Sequence, residues 1–286
     1  MPDSAMDRLK VLPQYLVPHH LLSRALGLLA ESRWPLIKNT FIDFFVNRYN
    51  IDMSIAAEPD PHAYACFNDF FTRALKDGAR PITEYGIACP ADGAVSQLGK
   101  IEDDQIFQAK GHHYSLTQLL GGDAERAAPF RNGDFITVYL SPRDYHRVHM
   151  PYGGVLKEMI YVPGKLFSVN TVTAQQVPSL FARNERVVAL FDTDVGPMAV
   201  VLVGAMIVAS IETVWAGLIT PPKRELKVTD YQPRSETIAL QRGEEMGRFK
   251  LGSTAIVLFG PNVVQWSEQL REGSATNMGE NIGALL

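Results

Sequence analysis

A glycine–serine step near the C-terminus is the part of this sequence best suited to covalent chemistry. Gly252 and Ser253 precede an apolar, β-branched stretch, residues 254–259, which predicts a buried strand. Glycine permits tight backbone turns, so the Ser253 hydroxyl can reach the preceding carbonyl if the turn is tight enough. Attack there would convert the Gly252–Ser253 amide into an ester, the first step of self-cleavage. These residues alone fit a plain turn that leads into a strand better than self-cleavage, so the rest of the chain must supply a base.

Two histidines and one aspartate are candidates for that base and its partner. His146 and His149 lie in Tyr-His-Arg-Val-His-Met-Pro, and Asp92 lies in Pro-Ala-Asp-Gly. An imidazole held by a carboxylate can take a serine proton, and the three groups need not be neighbours in sequence. Taken singly, Asp-Gly is also typical of a turn, and either histidine of a structural hydrogen bond. Pro142 and Pro151 favour an extended segment in which the two rings face opposite sides, so we expect no metal site.

Several stretches resemble one known family. The segment Glu245–Thr254, which contains Leu-Gly-Ser-Thr, resembles the processing site of the phosphatidylserine decarboxylases, in particular the bacterial membrane-associated type. Further stretches resemble the same family in the same order, from about residue 60 to the C-terminus. They are Asn68–Arg73, Pro90–Gly93, Tyr145–Pro151, Val162–Asn170, Leu180–Arg186 and Glu212–Gly217. The first of these has no evident chemical role.

The resemblance implies a self-processing enzyme with a covalent cofactor. Asp92, His149 and Ser253 would form the cleavage triad. Loss of the Ser253 α-proton from the ester would release Gly252 as a carboxylate and leave dehydroalanine. Tautomerisation and loss of ammonia would then give a pyruvoyl group at residue 253. The two fragments, 1–252 (beta chain) and 253–286 (alpha chain), would stay associated.

The implied reaction is the decarboxylation of phosphatidylserine to phosphatidylethanolamine. The amine of the lipid would form a Schiff base with the pyruvoyl ketone, which acts as an electron sink. Because an extended segment turns the two rings apart, we expect His149 to serve cleavage and His146 to serve proton transfer in decarboxylation. The resemblance also implies membrane lipids as partners, a peripheral position on the cytoplasmic side of the cell membrane, and a homo-oligomer.

Bulk properties exclude several classes of protein. The chain has 286 residues and a formal net charge of -4, without a long basic run, so nucleic acid is not an expected partner. Cys66 and Cys89 form no CxxC pair, which predicts reduced thiols rather than a disulfide framework or zinc site. The first ten residues do not resemble a secretory leader. No apolar run approaches the roughly 18 residues that cross a bilayer.

The pattern of apolar residues predicts an α+β protein with two regions. Residues 1–60 contain apolar residues at helical spacing, with Pro35 beginning the second helix. This pattern fits helices packed on the protein's own core or helices in a membrane interface, and the resemblance to enzymes with a lipid substrate favours a membrane-associating helical region. Residues 61–286 are predicted to be a mostly β catalytic domain, with a short helix over Phe67–Leu75. Strands are predicted at Phe135–Leu140, Val155–Val162, Val187–Phe191, Met198–Val203 and Met206–Ile211.

Three other functions stay open at this point. A pyruvoyl-dependent decarboxylase of a soluble amino acid would use the same cofactor. A Ser-His-Asp hydrolase would keep Ser253 intact, although the usual G-x-S-x-G pattern is absent. A non-catalytic β-domain docked on a membrane by its helices would remain intact and inert.

Overall fold

The protein combines a helical N-terminal layer with antiparallel sheets. The computed structural model describes residues 11–15, 19–109, 111–206, 210–219, 225–232, 237–250 and 253–286. Strands account for 37% of the structure and helices for 22%, which confirms the predicted α+β class. Among the described residues, no helix is both long and apolar enough to cross a membrane.

The helices are short apart from the first two. Residues 11–15 are helical. The helices that follow are α1 (His19–Ala30), α2 (Pro35–Tyr49), α3 (Phe67–Phe71), α4 (Leu116–Leu119), α5 (Ala124–Ala127), α6 (Thr171–Gln176) and α7 (Leu180–Arg183), with a 3₁₀ turn at Ala128–Phe130. Pro35 begins α2 as predicted, where its missing N–H costs no helical hydrogen bond.

α3 is shorter than the sequence predicts. It ends at Phe71: the Thr72 N–H still donates to the Asn68 carbonyl, but the Arg73 N–H donates to Phe70, three residues back, at 3.2 Å. The chain then becomes extended, and Leu75 forms an isolated bridge with Ala56. The prediction of a helix to Leu75 was therefore wrong.

The helical layer is held together by aromatic side chains. Ile42 of α2 and Phe67, Phe70 and Phe71 of α3 are fully buried in one cluster. The rings of Phe41 and Phe67 stack at 4.2 Å between centroids. α2 and α3 are thus packed through a core of their own.

α1 packs in the opposite sense to an ordinary amphipathic helix. Its buried positions are the small or polar residues His19, Ser23, Gly27 and Ala30. Its larger apolar side chains point outward: Leu28, for example, is 78% exposed. The other exposed apolar side chains of the helical layer are Leu21, Leu22, Leu29, Trp34, Leu36 and Phe44. This set of exposed residues is called the outer leucine face below.

Strands make up most of the remaining chain. In chain order the described strands are β1 (Ile87–Ala88), β2 (Gly93–Lys100), β3 (Gln105–Ala109), β4 (His112–Ser115), β5 (Asp134–Leu140), β6 (Arg147–His149), β7 (Gly154–Val162), β8 (Arg186–Thr193), β9 (Gly196–Gly204), β10 (Ser210–Thr213), β11 (Gly217–Leu218), β12 (Lys227–Asp230), β13 (Ala239–Leu240), β14 (Glu245–Lys250), β15 (Ser253–Phe259), β16 (Val264–Trp266), β17 (Ala275–Thr276) and β18 (Asn281–Leu285).

Four of the five predicted strands coincide with β5, β7, β8 and β9 to within two residues at each end. The fifth, Met206–Ile211, overlaps β10 at Ser210 and Ile211 but was wrong at Met206, which lies in a turn. Residues 207–209 of this prediction lie outside the described part of the chain.

The largest sheet has β15 at its centre. Its order is β12-β7-β8-β9-β15-β5-β2-β17, with β13 also paired to β7. β15 is antiparallel to both β5 and β9 along its whole length. A smaller sheet has the order β11-β10-β14-β6, another has the order β1-β18-β16, and β3 pairs with β4.

Both faces of β15 are covered by apolar side chains. Ala255, Val257 and Phe259 belong to a cluster that includes residues of β6, β10 and β14. Ile256 and Leu258 belong to a second cluster, formed with the short helices α4, α6 and α7. Every residue of β15 is buried. The predicted buried strand after Ser253 is therefore confirmed, and it is the central strand of the fold.

Candidate active site

The predicted site residues gather at one edge of the large sheet. β15 begins at Ser253, which pairs with Leu140 at the end of β5 and with Gly204 at the end of β9. β2 lies on the other side of β5 and starts at Gly93, directly after Asp92. Asp92 and Ser253 therefore belong to the same edge, with only β5 between their strands.

Gly93 lets β2 approach β5 closely enough to place Asp92 there. A Cβ atom on Gly93 would lie 2.2 Å from the carbonyl oxygen of Tyr139, far inside van der Waals contact. Only glycine fits this position without displacing backbone. The Asp-Gly pair is thus part of a strand junction.

The segment that follows β5 brings both histidines to this edge. A turn closed by a 2.7 Å hydrogen bond from the Ser141 N–H to Asp144 leads into His146. The backbone N–H of Phe249, four residues before Ser253, donates to the His146 carbonyl at 3.0 Å. The His149 N–H donates to the carbonyl of Pro90 at 2.8 Å, next to Asp92. Asp92, His146, His149 and Ser253 thus occupy one edge.

Ser253 is a buried hydroxyl without a partner. Its side chain is 0% exposed, and its Oγ forms no hydrogen bond to any described residue. An unsatisfied buried hydroxyl is unfavourable by about 1–3 kcal/mol, and a catalytic role, strain or an ordered water can account for such a group. Gly252, the predicted source of the attacked carbonyl, lies outside the described residues.

His149 is fixed as a neutral base. Its Nδ1 lies 2.8 Å from the carbonyl of Gly243, which only accepts, so Nδ1 carries the proton. Its Nε2 therefore accepts from the Tyr145 hydroxyl at 3.0 Å. Burial lowers the pKa of His149 below its ordinary value and raises the pKa of Tyr145 to about 12. Gly243 has φ +81°, a backbone conformation that glycine adopts easily.

Asp92 is held by an arginine rather than by His149. The guanidinium of Arg80 forms a forked pair with it, with Nη2 2.6 Å from Oδ2 and Nε 2.9 Å from Oδ1. The Met278 N–H donates to Oδ1 at 2.7 Å. The structure thus differs from the simplest form of the predicted triad, because a carbonyl and not the carboxylate occupies Nδ1 of His149. A forked ionic pair is stronger than a bond to a neutral imidazole.

His146 has entirely different surroundings. It is 0% exposed, its Nδ1 bonds the Asp144 carbonyl at 2.8 Å, and its Nε2 has no partner among the described residues. Its ring lies 4.0 Å from that of Phe71 between centroids. Burial lowers the pKa of His146 to about 3, and the charge of Arg73 acts in the same direction. The predicted extended geometry is confirmed by β6, and the two imidazoles share no partner.

Three contacts of the site were not predicted from the sequence. Arg80 occurs in Ala-Arg-Pro, which matches no catalytic pattern, and its bond to Asp92 crosses from a loop to the start of β2. Gly243 lies in a turn that its glycine could have indicated. Nothing in the sequence indicated that its carbonyl would bond His149. Arg73 belongs to the Asn68–Arg73 stretch, which was singled out without a role.

Known proteins of one family match most of this chain. A family model described as phosphatidylserine decarboxylase matches residues 67–284, and one described as PSD matches residues 9–50. The chain belongs to the phosphatidylserine decarboxylase family. A phosphatidylserine decarboxylase proenzyme from Ectopseudomonas mendocina is 66% identical over 97% of this chain and 98% of its own length.

Two further family members are comparably similar. Phosphatidylserine decarboxylase proenzymes from Bordetella avium and Pseudomonas aeruginosa are 63% and 64% identical, over 98% and 97% of this chain and 95% and 97% of their own lengths. All three names describe a proenzyme. The matched residues, 9–50 and 67–284, include both the helical layer and the sheets.

The neutral state of His146 predicts a pH dependence of stability. Its folded-state pKa of about 3 lies below the ordinary 6.5, so the unfolded chain binds the proton first as the pH falls. The free energy of unfolding should therefore fall between about pH 6.5 and 3, by at most about 1.4 kcal/mol per pH unit for this group.

Urea unfolding of the Ser253→Ala chain at several pH values measures this slope. His146→Gln in that background should flatten it. His113→Gln, which removes an exposed imidazole on β4, is the matched control and should leave it unchanged. An unchanged slope in His146→Gln would show that His146 binds protons alike in the folded and unfolded chain, and would contradict its lowered pKa.

Proposed function

We propose that the chain cleaves itself between Gly252 and Ser253, turns Ser253 into a pyruvoyl group, and decarboxylates phosphatidylserine. The observation that carries this proposal is the buried, unpartnered Ser253 hydroxyl at the first residue of the central strand. The names of the relatives, phosphatidylserine decarboxylase proenzyme, support both the processing and the substrate.

His149 serves as the base of cleavage. Its Nε2 lone pair is directed at the Tyr145 hydroxyl, and the proton of Ser253 passes to this pair of groups as Oγ attacks the Gly252 carbonyl. Asp92 acts on His149 by charge: its carboxylate favours the imidazolium. The ester then loses the Ser253 α-proton, and Gly252 leaves as a carboxylate. The dehydroalanine that remains tautomerises to an imine, which water hydrolyses to the pyruvoyl ketone and ammonia.

In decarboxylation, His146 handles the proton. The pyruvoyl ketone supplies an electron sink through a Schiff base with the lipid amine. The α-carbon needs a proton after CO₂ has left. His146 supplies it: its Nε2 has no partner among the described residues, and the lowered pKa of the buried ring makes its imidazolium a strong acid.

Denaturing mass spectrometry of purified protein tests self-cleavage. It should give two chains, 1–252 and 253–286, with a ketone at the start of the smaller one. Ser253→Ala should remain one inactive chain, while Ser267→Ala should mature normally. A single intact mass in active protein would contradict the proposal, and esterase activity of that intact chain would favour a Ser-His-Asp hydrolase.

Single substitutions separate the roles of the two histidines. His149→Ala and Asp92→Ala should stay largely uncleaved, because the base or its charge partner is lost. His146→Ala should cleave but decarboxylate more slowly, by about 10²–10⁴-fold if the proton transfer is lost. Cleavage gels and product assays on the same preparations measure both steps, with His113→Ala as the control. If His146→Ala stays uncleaved while His149→Ala matures, the roles of the two histidines are reversed.

We further propose that the outer leucine face attaches the protein to the surface of a membrane. α1 turns its small residues inward and its leucines outward, which leaves a contiguous helix surface apolar. Such exposed apolar surface is typical of membrane or partner contact. A peripheral position suits an enzyme whose substrate is a lipid.

Flotation or sedimentation with liposomes tests this attachment. Replacing Leu21, Leu28 and Leu36 by serine should move the protein from the liposome pellet to the supernatant and leave self-cleavage intact, since none of these side chains is buried. Leu218→Ser, at an exposed residue of β11, should still sediment. If the triple variant also sediments, the membrane contact lies elsewhere.

A further inference from the structure

Arg73 is a buried cation with unused hydrogen-bond donors. Its side chain is 3% exposed, yet Nε and Nη1 donate to none of the described residues. Nη2 makes one long bond, 3.3 Å, to the carbonyl of Arg143. Buried guanidinium groups are nearly always paired with anions, because desolvation of the charge is costly. Within the described part of the chain, therefore, no anion pairs with Arg73.

The guanidinium lies beside the proposed proton-transfer group. The turn that receives Nη2 at Arg143 also receives Nδ1 of His146 at Asp144. Phe70 and Phe71 complete the contact: the Arg73 guanidinium lies 5.6 Å from the Phe70 ring centroid, and the Phe71 ring packs on His146. Arg73 and the unpartnered Nε2 of His146 thus belong to the same corner of the site.

Nearby carboxylates do not neutralise Arg73. Asp92 and Asp144 lie within its electrostatic range, but both are engaged elsewhere. Asp92 is held by Arg80 and Met278, as described above. Asp144 accepts from the Ser141 N–H and lies 3.6 Å from the Arg143 guanidinium. The planar fork of Arg73 is left for an anion from outside the chain.

We propose that Arg73 binds an oxyanion of the phosphatidylserine head group. This inference rests on the proposed function, because it places the head group beside the reacting end of β15. The head group carries two planar or forked oxyanions, the carboxylate and the phosphodiester, and guanidinium matches both. Arg73 also follows α3, whose aromatic cluster includes α2, so the anion site and the outer leucine face belong to the same helical layer.

Steady-state kinetics with soluble dihexanoyl-phosphatidylserine test the site. Arg73→Met should raise KM by about ten- to a hundredfold, the range expected for a lost charged hydrogen bond. Arg73→Lys keeps the charge without the fork and should be intermediate. Arg271→Met removes an exposed guanidinium outside this turn and should change KM by less than about twofold. Self-cleavage of each variant reports that the site has folded.

The product identifies which oxyanion is bound. Dihexanoyl-phosphatidylethanolamine keeps the phosphodiester but lacks the carboxylate. If its inhibition constant rises with KM in Arg73→Met, the phosphodiester is the ligand. If KM rises alone, the carboxylate is the ligand. An unchanged KM and inhibition constant in matured Arg73→Met, or a fall in kcat alone, would overturn the proposal.

Calorimetry on the uncleaved chain gives a readout independent of activity. The Ser253→Ala chain should bind dihexanoyl-phosphatidylserine. Adding Arg73→Met should weaken this binding by the same factor by which it raises KM. If that variant does not fold, Arg73→Lys takes its place and should show the intermediate effect. Equal affinity in both proteins would overturn the proposal. Failure of the wild-type chain to cleave would count against the proposed function alone, since this titration does not need the pyruvoyl group.

Discussion

The pairing of β15 between β5 and β9 is the interaction on which the rest of the structure depends. All seven residues of β15 have register partners on both neighbouring strands, and both faces are covered by apolar clusters. The same pairing fixes Ser253 at a dry edge, beside the end of β5 and one strand from Asp92. A fragment that begins at Ser253 would keep all of these contacts, so cleavage before it leaves the fold intact.

Dryness at this edge determines the state of its titratable groups. Burial keeps His146 and His149 neutral, and the guanidinium of Arg80 neutralises the carboxylate of Asp92 through the forked ion pair. Neutral imidazoles with defined tautomers have a lone pair ready for a proton, which suits steps that begin with proton removal. Arg73 is the exception, because its charge is buried without an anion.

Local patterns in the sequence predicted much of the fold but few of the contacts in the site. β5, β7, β8, β9 and β15 were predicted because runs of β-branched residues are local signals. The Gly243–His149 bond joins residues 94 positions apart, and the Arg80–Asp92 pair spans 12 residues. Neither has a local sequence signal. The leucines of α1 predicted a helix with an apolar face, but only the packing of His19, Ser23, Gly27 and Ala30 shows that this face points outward.

The central claim is that the ketone formed at residue 253 is the group that engages the lipid amine. Purified protein treated with phosphatidylethanolamine and a borohydride reductant, then separated under denaturing conditions, tests it directly. The account predicts that the fragment 253–286 alone gains the mass of the lipid. A lipid adduct on fragment 1–252, or no adduct on either fragment of actively decarboxylating protein, would contradict it.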